Sequence, residues 1–224
     1  MCTRYNIEST VREFEPDFGI LRREEISLTR FVASTGDELS SGSGNPNRVV
    51  LNSRIICVRW AAAAGASHPI TANIDVPNDY YEGVAGSTNL NEKPTFKLRV
   101  TARKRQGTGT TDENATLKLN LAVSIDRGGA ATTDLAANIA TGNLNAITAT
   151  VATTDTGTGF AEYVFDIGAA LTAQSSSLKI QRGDKVYLGL VPSATVGSST
   201  MVLEVKRVEL EWRRHLAAAS SALR

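Results

Sequence analysis

The sequence predicts an all-β fold: an antiparallel β-sandwich preceded by an extended N-terminal arm. Three observations lead there. Residues 96–103 read Phe-Lys-Leu-Arg-Val-Thr-Ala-Arg and residues 117–125 read Leu-Lys-Leu-Asn-Leu-Ala-Val-Ser-Ile. A period of two puts one face of each strand in a core and the other in water, as in antiparallel sheets. Nothing between the strand-like segments is long enough for a crossover helix, and residues 168–174 allow at most one or two helical turns, which argues against an α/β fold. Residues 1–48 form the third: charges and turn formers separate a few large apolar side chains there, with 6 basic and 8 acidic residues. Such a segment buries too little area alone to offset the entropy of ordering it.

The arm covers residues 1–48 and includes a linker-like run at 34–47, rich in Ser, Gly and Asn. Its apolar positions, Phe14, Phe18, Ile20, Leu21, Leu28 and Phe31, are candidate contacts for a neighbouring surface. The sandwich is expected over residues 49–214, with strands at 49–60, 69–76, 96–103, 117–125, 146–152, 161–167, 185–191 and 201–212. In them Ile70, Ala72, Ile74 and Val76 face inward. So do Ala161, Tyr163, Phe165 and Ile167, and Val186, Leu188 and Leu190. The last strand changes parity: Leu203 and Val205 share one face, but Val208, Leu210 and Trp212 share the other. One extra residue near Lys206-Arg207 absorbs the shift, so a β-bulge is predicted there. Residues 215–224 form a short Ala/Ser-rich tail.

Composition narrows the function. The chain has 224 residues and a formal charge of +1 from 24 basic and 23 acidic side chains. That balance lacks the basic excess a phosphate backbone calls for, so nucleic acid is not expected as the partner. No apolar run reaches the roughly 20 residues of a spanning helix, so no membrane insertion is expected. The first ten residues lack the apolar core of a secretory signal. Synthesis in a cytoplasm is expected, with Cys2 and Cys57 as reduced thiols.

Catalytic chemistry finds no constellation. His68 and His215 lack a nucleophile and an orienting acid at readable spacing, and no nucleophile-elbow sequence is present. Gly107-Thr108-Gly109-Thr110-Thr111 is followed by neither a helix nor a phosphate-binding lysine, so it reads as a hairpin loop. No catalytic residue, metal site or cofactor is therefore expected. The cluster Asp75, Asn78, Asp79 and Glu82 has oxygen ligands spaced for Ca²⁺, although the same residues make an ordinary turn. Trp60 and Trp212 share the inward parity of their strands and belong in a core or interface. Tyr80 and Tyr81, in a loop, are the better candidates for an exposed contact.

One further pattern runs through residues 180–190, Ile-Gln-Arg-Gly-Asp-Lys-Val-Tyr-Leu-Gly-Leu, where an Arg-Gly-Asp turn leads into an inward-facing strand. With the corner at residues 74–80 and the closing strand at 205–212, it resembles the jelly-roll virion proteins of tailed bacteriophages, capsid decoration (cement) proteins in particular. The resemblance covers roughly residues 50 to 213. It implies a non-enzymatic jelly roll on the outside of a capsid, a dimer or trimer whose partner is the major capsid protein, with the arm tying capsomers together. The alternative is a carbohydrate-binding or fibre-attachment module on a virion, in which loop aromatics hold the ligand.

Overall fold

The computed structural model describes residues 21–33, 35–39, 46–61, 68–83, 94–105, 118–126, 147–150, 159–174, 179–192 and 202–214. They form an antiparallel jelly-roll β-sandwich of two sheets with one short helix. The strands are β1 (Leu21–Glu25), β2 (Val32–Ala33), β3 (Asn47–Leu51), β4 (Ile55–Trp60), β5 (Ile70–Asp75), β6 (Phe96–Arg105), β7 (Lys118–Asp126), β8 (Ile147–Thr150), β9 (Ala161–Asp166), β10 (Lys185–Pro192) and β11 (Val202–Arg213). Helix α1 (Ile167–Gln174) follows β9, and Leu28–Arg30 makes a single 3-10 turn. The first sheet runs β3-β4-β11-β6-β9, with β1 also paired to β11; the second runs β2-β5-β10-β7-β8.

Strand β11 organises the six-stranded sheet. Strand β6 follows one side of it from Val202 to Trp212, so β4 and β1 share the other side. There β4 pairs with Leu203–Val205 and β1 with Glu209–Arg213. The predicted bulge lies between Val205 and Arg207. It turns Leu203 and Val205, and then Val208, Leu210 and Trp212, all into the core, which a strand of strict period two cannot do.

The residues from Leu21 to Ala33 depart from the expected free arm. They give one strand to each sheet, and the 3-10 turn carries the chain between them. Ser27 caps that turn, its Oγ accepting from Thr29 N at 3.3 Å. The crossing drops Ile26, Leu28 and Phe31 between the sheets, where Phe31 is fully buried. As contacts for a neighbouring shell, Leu28 and Phe31 are thus corrected: they are core residues of their own sandwich. Leu21 is 51% exposed; Phe14, Phe18 and Ile20 lie outside the described residues. Part of the linker-like run also packs, with Leu39 buried and Ala33 N donating to Asp37 O at 2.9 Å.

The single strand expected at 49–60 is a hairpin. Asn52 and Ser53 both take positive φ (49° and 57°), and Arg54 N closes the turn onto Leu51 O at 3.0 Å. Asn tolerates this region because its short polar side chain offsets part of the steric cost. Elsewhere the inward faces of β5, β7 and β10 are as the alternation predicts. In β9 only Phe165 is fully buried, with Ile167 just beyond it; Tyr163 packs partly and Ala161 is exposed, because β9 ends its sheet. The core lies between the sheets, centred on Trp60, Phe31, Phe96, Leu98, Leu121 and Phe165.

Candidate functional site

Two outer sheet faces are available to a ligand, and they differ in kind. On the six-stranded sheet, β11 presents a column of acids, Glu204, Glu209 and Glu211, between columns of bases. Glu204 accepts from Arg59 Nη2 and from Arg103 Nε, both at 2.6 Å. Glu211 accepts from Arg23 Nε at 2.7 Å and Arg99 Nε at 2.8 Å. Arg99 also meets Glu162 on β9. Phe160 covers one end, with Arg103 Cζ 4.4 Å and Lys206 Nζ 4.6 Å from its ring centre, a cation–π arrangement. Burial pushes the Glu211 carboxyl up, but the hydrogen bonds from Arg99 and Arg23 outweigh it and hold the group below its usual range. The same bond to Glu211 raises Arg99 further. Cys57 is buried against this network; desolvation first, then the Glu204 charge, lift its thiol to about 11. These charges pair with one another, so this face stabilises the sheet.

The loop after β5 is also committed internally. Tyr80 and Tyr81 were expected as exposed contacts, and here the structure corrects the sequence reading: both are buried, at 1% and 6% exposure. Tyr80 packs edge-on against Phe96 with ring centres 5.6 Å apart, and burial raises its hydroxyl pKa. Backbone bonds fix the pair: Tyr80 N donates to Pro77 O, and Tyr81 N to Arg213 O. Asp79 accepts from Trp212 Nε1 at 3.2 Å and pairs with Arg214 at 2.8 Å. Glu82 accepts from Arg182 N at 3.0 Å. Asp79 and Glu82, turned to arginines, latch the loop to β11 and the Arg-Gly-Asp turn, and Asp75 lies opposite Lys185 on β10. Among the described residues no group of three or more His, Cys, Asp or Glu is placed to hold a metal ion.

That turn is structural as well. Gly183 takes φ +78°, Asp184 Oδ2 accepts from Gln181 N at 2.7 Å, and Val76 N donates to Asp184 O at 2.8 Å. Trp60 and Trp212 lie in the core as expected, and Trp60 Nε1 donates to His68 O at 2.7 Å.

The outer face of the five-stranded sheet is different. Along β10 the outward positions are Lys185, Tyr187, Gly189 and Val191. Cross-strand register sets Tyr187 between Asn73 and Ser124, Gly189 between Thr71 and Ala122, and Lys185 between Asp75 and Asp126. Tyr187 is 37% exposed, and it is the only exposed aromatic among the described residues. Beside it the small residues make a step: a Cβ at Gly189 would meet Ala122 Cβ at 3.6 Å. Toward Asp75 the sheet edge adjoins a shallow cleft of about 140 Å³, where Glu24, Glu25, Arg30 and Asp75 surround Ile26 and Leu210. Arg30 reaches back over this edge, its Nη2 donating to Asn73 O at 2.7 Å.

Tyr187 is not among the contacts expected from the sequence, although its exposure is legible there. With Val186, Leu188 and Leu190 inward, the alternation places Tyr187 in water.

No family model matches this chain, and no curated protein matches it. Several solved structures are similar. The xylan-binding module CBM15 is 9% identical, with a TM-score of 0.47 over 88% of this chain and 99% of that one. The structure of TmCBM61 in complex with beta-1,4-galactotriose is 10% identical, with a TM-score of 0.31 over 89% and 92%. A putative glycoside hydrolase from Bacteroides vulgatus is 13% identical, with a TM-score of 0.39 over 88% and 98%. At this distance the similarity carries no inference about this chain's ligand.

Proposed function

We propose that this chain is a non-catalytic β-sandwich binding module whose ligand is a glycan chain lying across the outer face of the five-stranded sheet. One observation carries the reading: Tyr187, exposed on the central strand β10, stands beside the low step made by Gly189 and Ala122. A sugar ring presents C–H groups on its faces and hydroxyls around its rim. An aromatic ring on an open sheet takes the former, and the surrounding Asn73, Thr71, Lys185 and Asp75 suit the latter. An open, shallow surface excludes little water, so affinity is expected to be modest, with dissociation constants of roughly 10 µM to 1 mM.

The test is affinity electrophoresis of the full chain through gels containing soluble polysaccharides, followed by titration of the one that retards it. Tyr187→Ala is expected to abolish retardation without changing the melting temperature. A panel with no retardation, or a Tyr187→Ala chain retarded as strongly as the parent, overturns the reading.

A second reading keeps the chain as a virion structural protein on the outside of a phage capsid, with the major capsid protein as its partner. It is favoured by apolar surface: Val50, Ile55 and Ile56 are exposed on one hairpin, and Leu21 at the start of β1. Here co-sedimentation with capsids is expected, undiminished by Tyr187→Ala. A chain that stays in the supernatant removes it.

A further inference from the structure

The edges of the six-stranded sheet are not protected alike. Strand β1 reads Leu-Arg-Arg-Glu-Glu, with four charges in five residues. Strand β9 carries Glu162 and Asp166 on its outer face. In the other sheet the edge strand β2 is only two residues long. Charge and shortness are the usual means of keeping an edge from pairing with another chain. Strand β3 has a single charge, Arg48, in five residues. It reads Asn-Arg-Val-Val-Leu, it ends the sheet order, and no described strand pairs with its outer side.

The hairpin that carries β3 also leaves apolar surface uncovered. Val50 and Ile56 are cross-strand partners with the same inward parity as Val58 and Trp60. They are nevertheless 61% and 47% exposed, and Ile55 on the opposite face is 40% exposed. An inward-type apolar pair at the hairpin tip is thus left exposed.

We propose that β3 is a homodimerisation edge: two copies of this chain pair their β3 strands antiparallel about a two-fold axis at Val49, joining their six-stranded sheets into one. The occupant follows from the strand itself. An antiparallel edge is complementary to its own copy, because a two-fold axis returns every N–H and C=O to the mirrored position on the partner. Centring on Val49 uses the whole strand, pairing residue 47 with 51 and residue 48 with 50. Arg48, the only charge in β3, then lies opposite Val50 and never opposite itself, so no like charges meet across the axis. The aliphatic stem of Arg48 lies over the partner's exposed apolar position. Moving the axis to Val50 would pair Arg48 with Asn52, which has already turned away at φ 49°, and would shorten the ladder.

Five residues per copy is a small contact. It falls below the roughly 800 Å² per partner of a standard interface, so dimerisation in the micromolar range is expected. Nothing in this proposal depends on the ligand of Tyr187.

Sedimentation velocity of the full chain from about 5 to 500 µM tests it over that range. The parent is expected to move from monomer to dimer as concentration rises. Val50→Lys, at an exposed position, is expected to raise the dissociation constant by about tenfold or more with an unchanged melting temperature. In a Cys2→Ser, Cys57→Ala background, which removes the thiol directly across from Val49 on β4, Val49→Cys is expected to form a disulfide-linked dimer under mild oxidation. A parent that is monomeric throughout, a Val50→Lys chain that dimerises like the parent, or a Val49→Cys chain that does not cross-link overturns the proposal.

Discussion

Glu204 and Arg103 are joined by a 2.6 Å ion pair on the outer face of a β-sheet, yet no more than 6% of either side chain meets solvent. Arg59 closes the other side of the same carboxylate at 2.6 Å. Cross-strand pairing on both sides of β11 brings the three together: Glu204 is opposite Arg59 on β4 and opposite Arg103 on β6. A buried pair adds little over a well-packed apolar substitute, but removing one partner leaves the other charge uncompensated. Glu204→Ala is therefore expected to cost about 3–5 kcal/mol in urea unfolding. An effect below about 1 kcal/mol, the range of exposed pairs, would show that water reaches these arginines.

The neighbouring acid sets a pH dependence. Arg99 and Arg23 hold the Glu211 carboxyl below its ordinary value despite its burial. The unfolded chain then binds a proton at a higher pH than the folded chain does. The stabilisation from Glu211 is complete above the ordinary carboxylate range and is lost as pH falls through the folded value. Glu211→Gln is expected to flatten the acid limb of stability as pH falls through and below the ordinary carboxylate range. Parallel acid limbs for parent and variant in urea melts would refute this.

Phe31 provides a test of the N-terminal segment. It is fully buried between the sheets, six residues beyond the end of β1. Phe31→Ala is expected to cost about 3–5 kcal/mol. A chain beginning at Arg48 lacks β1, β2 and the buried Ile26, Leu28, Phe31 and Leu39 together. It is expected to lose cooperative thermal unfolding. A truncated chain that melts as sharply as the parent would show that these residues are dispensable.

Gly183 isolates a backbone effect. Its φ is +78° and a Cβ there would meet nothing within 4 Å. Gly183→Ala is expected to destabilise by about 1–2 kcal/mol through left-handed strain alone. Gly189→Ala, with ordinary strand geometry and a 3.6 Å contact to Ala122, is expected to leave the melting temperature unchanged. Equal effects of the two variants would contradict the assignment of strain to the turn.

Cys57 gives a chemical readout. Its thiol is buried and raised to about 11, so in the folded chain it is expected to resist alkylation at pH 8. Above the unfolded value near 9 the unfolded chain ionises first, so this contribution to stability falls between about pH 9 and 11. Rapid labelling of Cys57 in the native protein would overturn both statements.

The alternation at 96–103, 117–125 and 185–191 determined the sheets and their inward faces, because a period of two permits only one buried side. The parity change near Lys206 determined the bulge for the same reason. Gly183 in its Arg-Gly-Asp turn was equally legible, since a turn that needs positive φ selects glycine. What only the tertiary structure decided was which local candidates survive packing. Tyr80 and Tyr81 read as loop aromatics until Phe96, Arg213 and Arg214 close over their loop. Leu28 and Phe31 read as an arm because their apolar positions are few and set among charges, and the crossing between sheets that buries them is a long-range event. Residues 49–60 read as one strand because Asn52-Ser53 is a weak turn signal without glycine. Tyr187 had its exposure written in the alternation. Its standing as the proposed contact depends on knowing that the opposite sheet's face is closed by its own arginines and glutamates, and that closure comes from pairing between strands far apart in the chain.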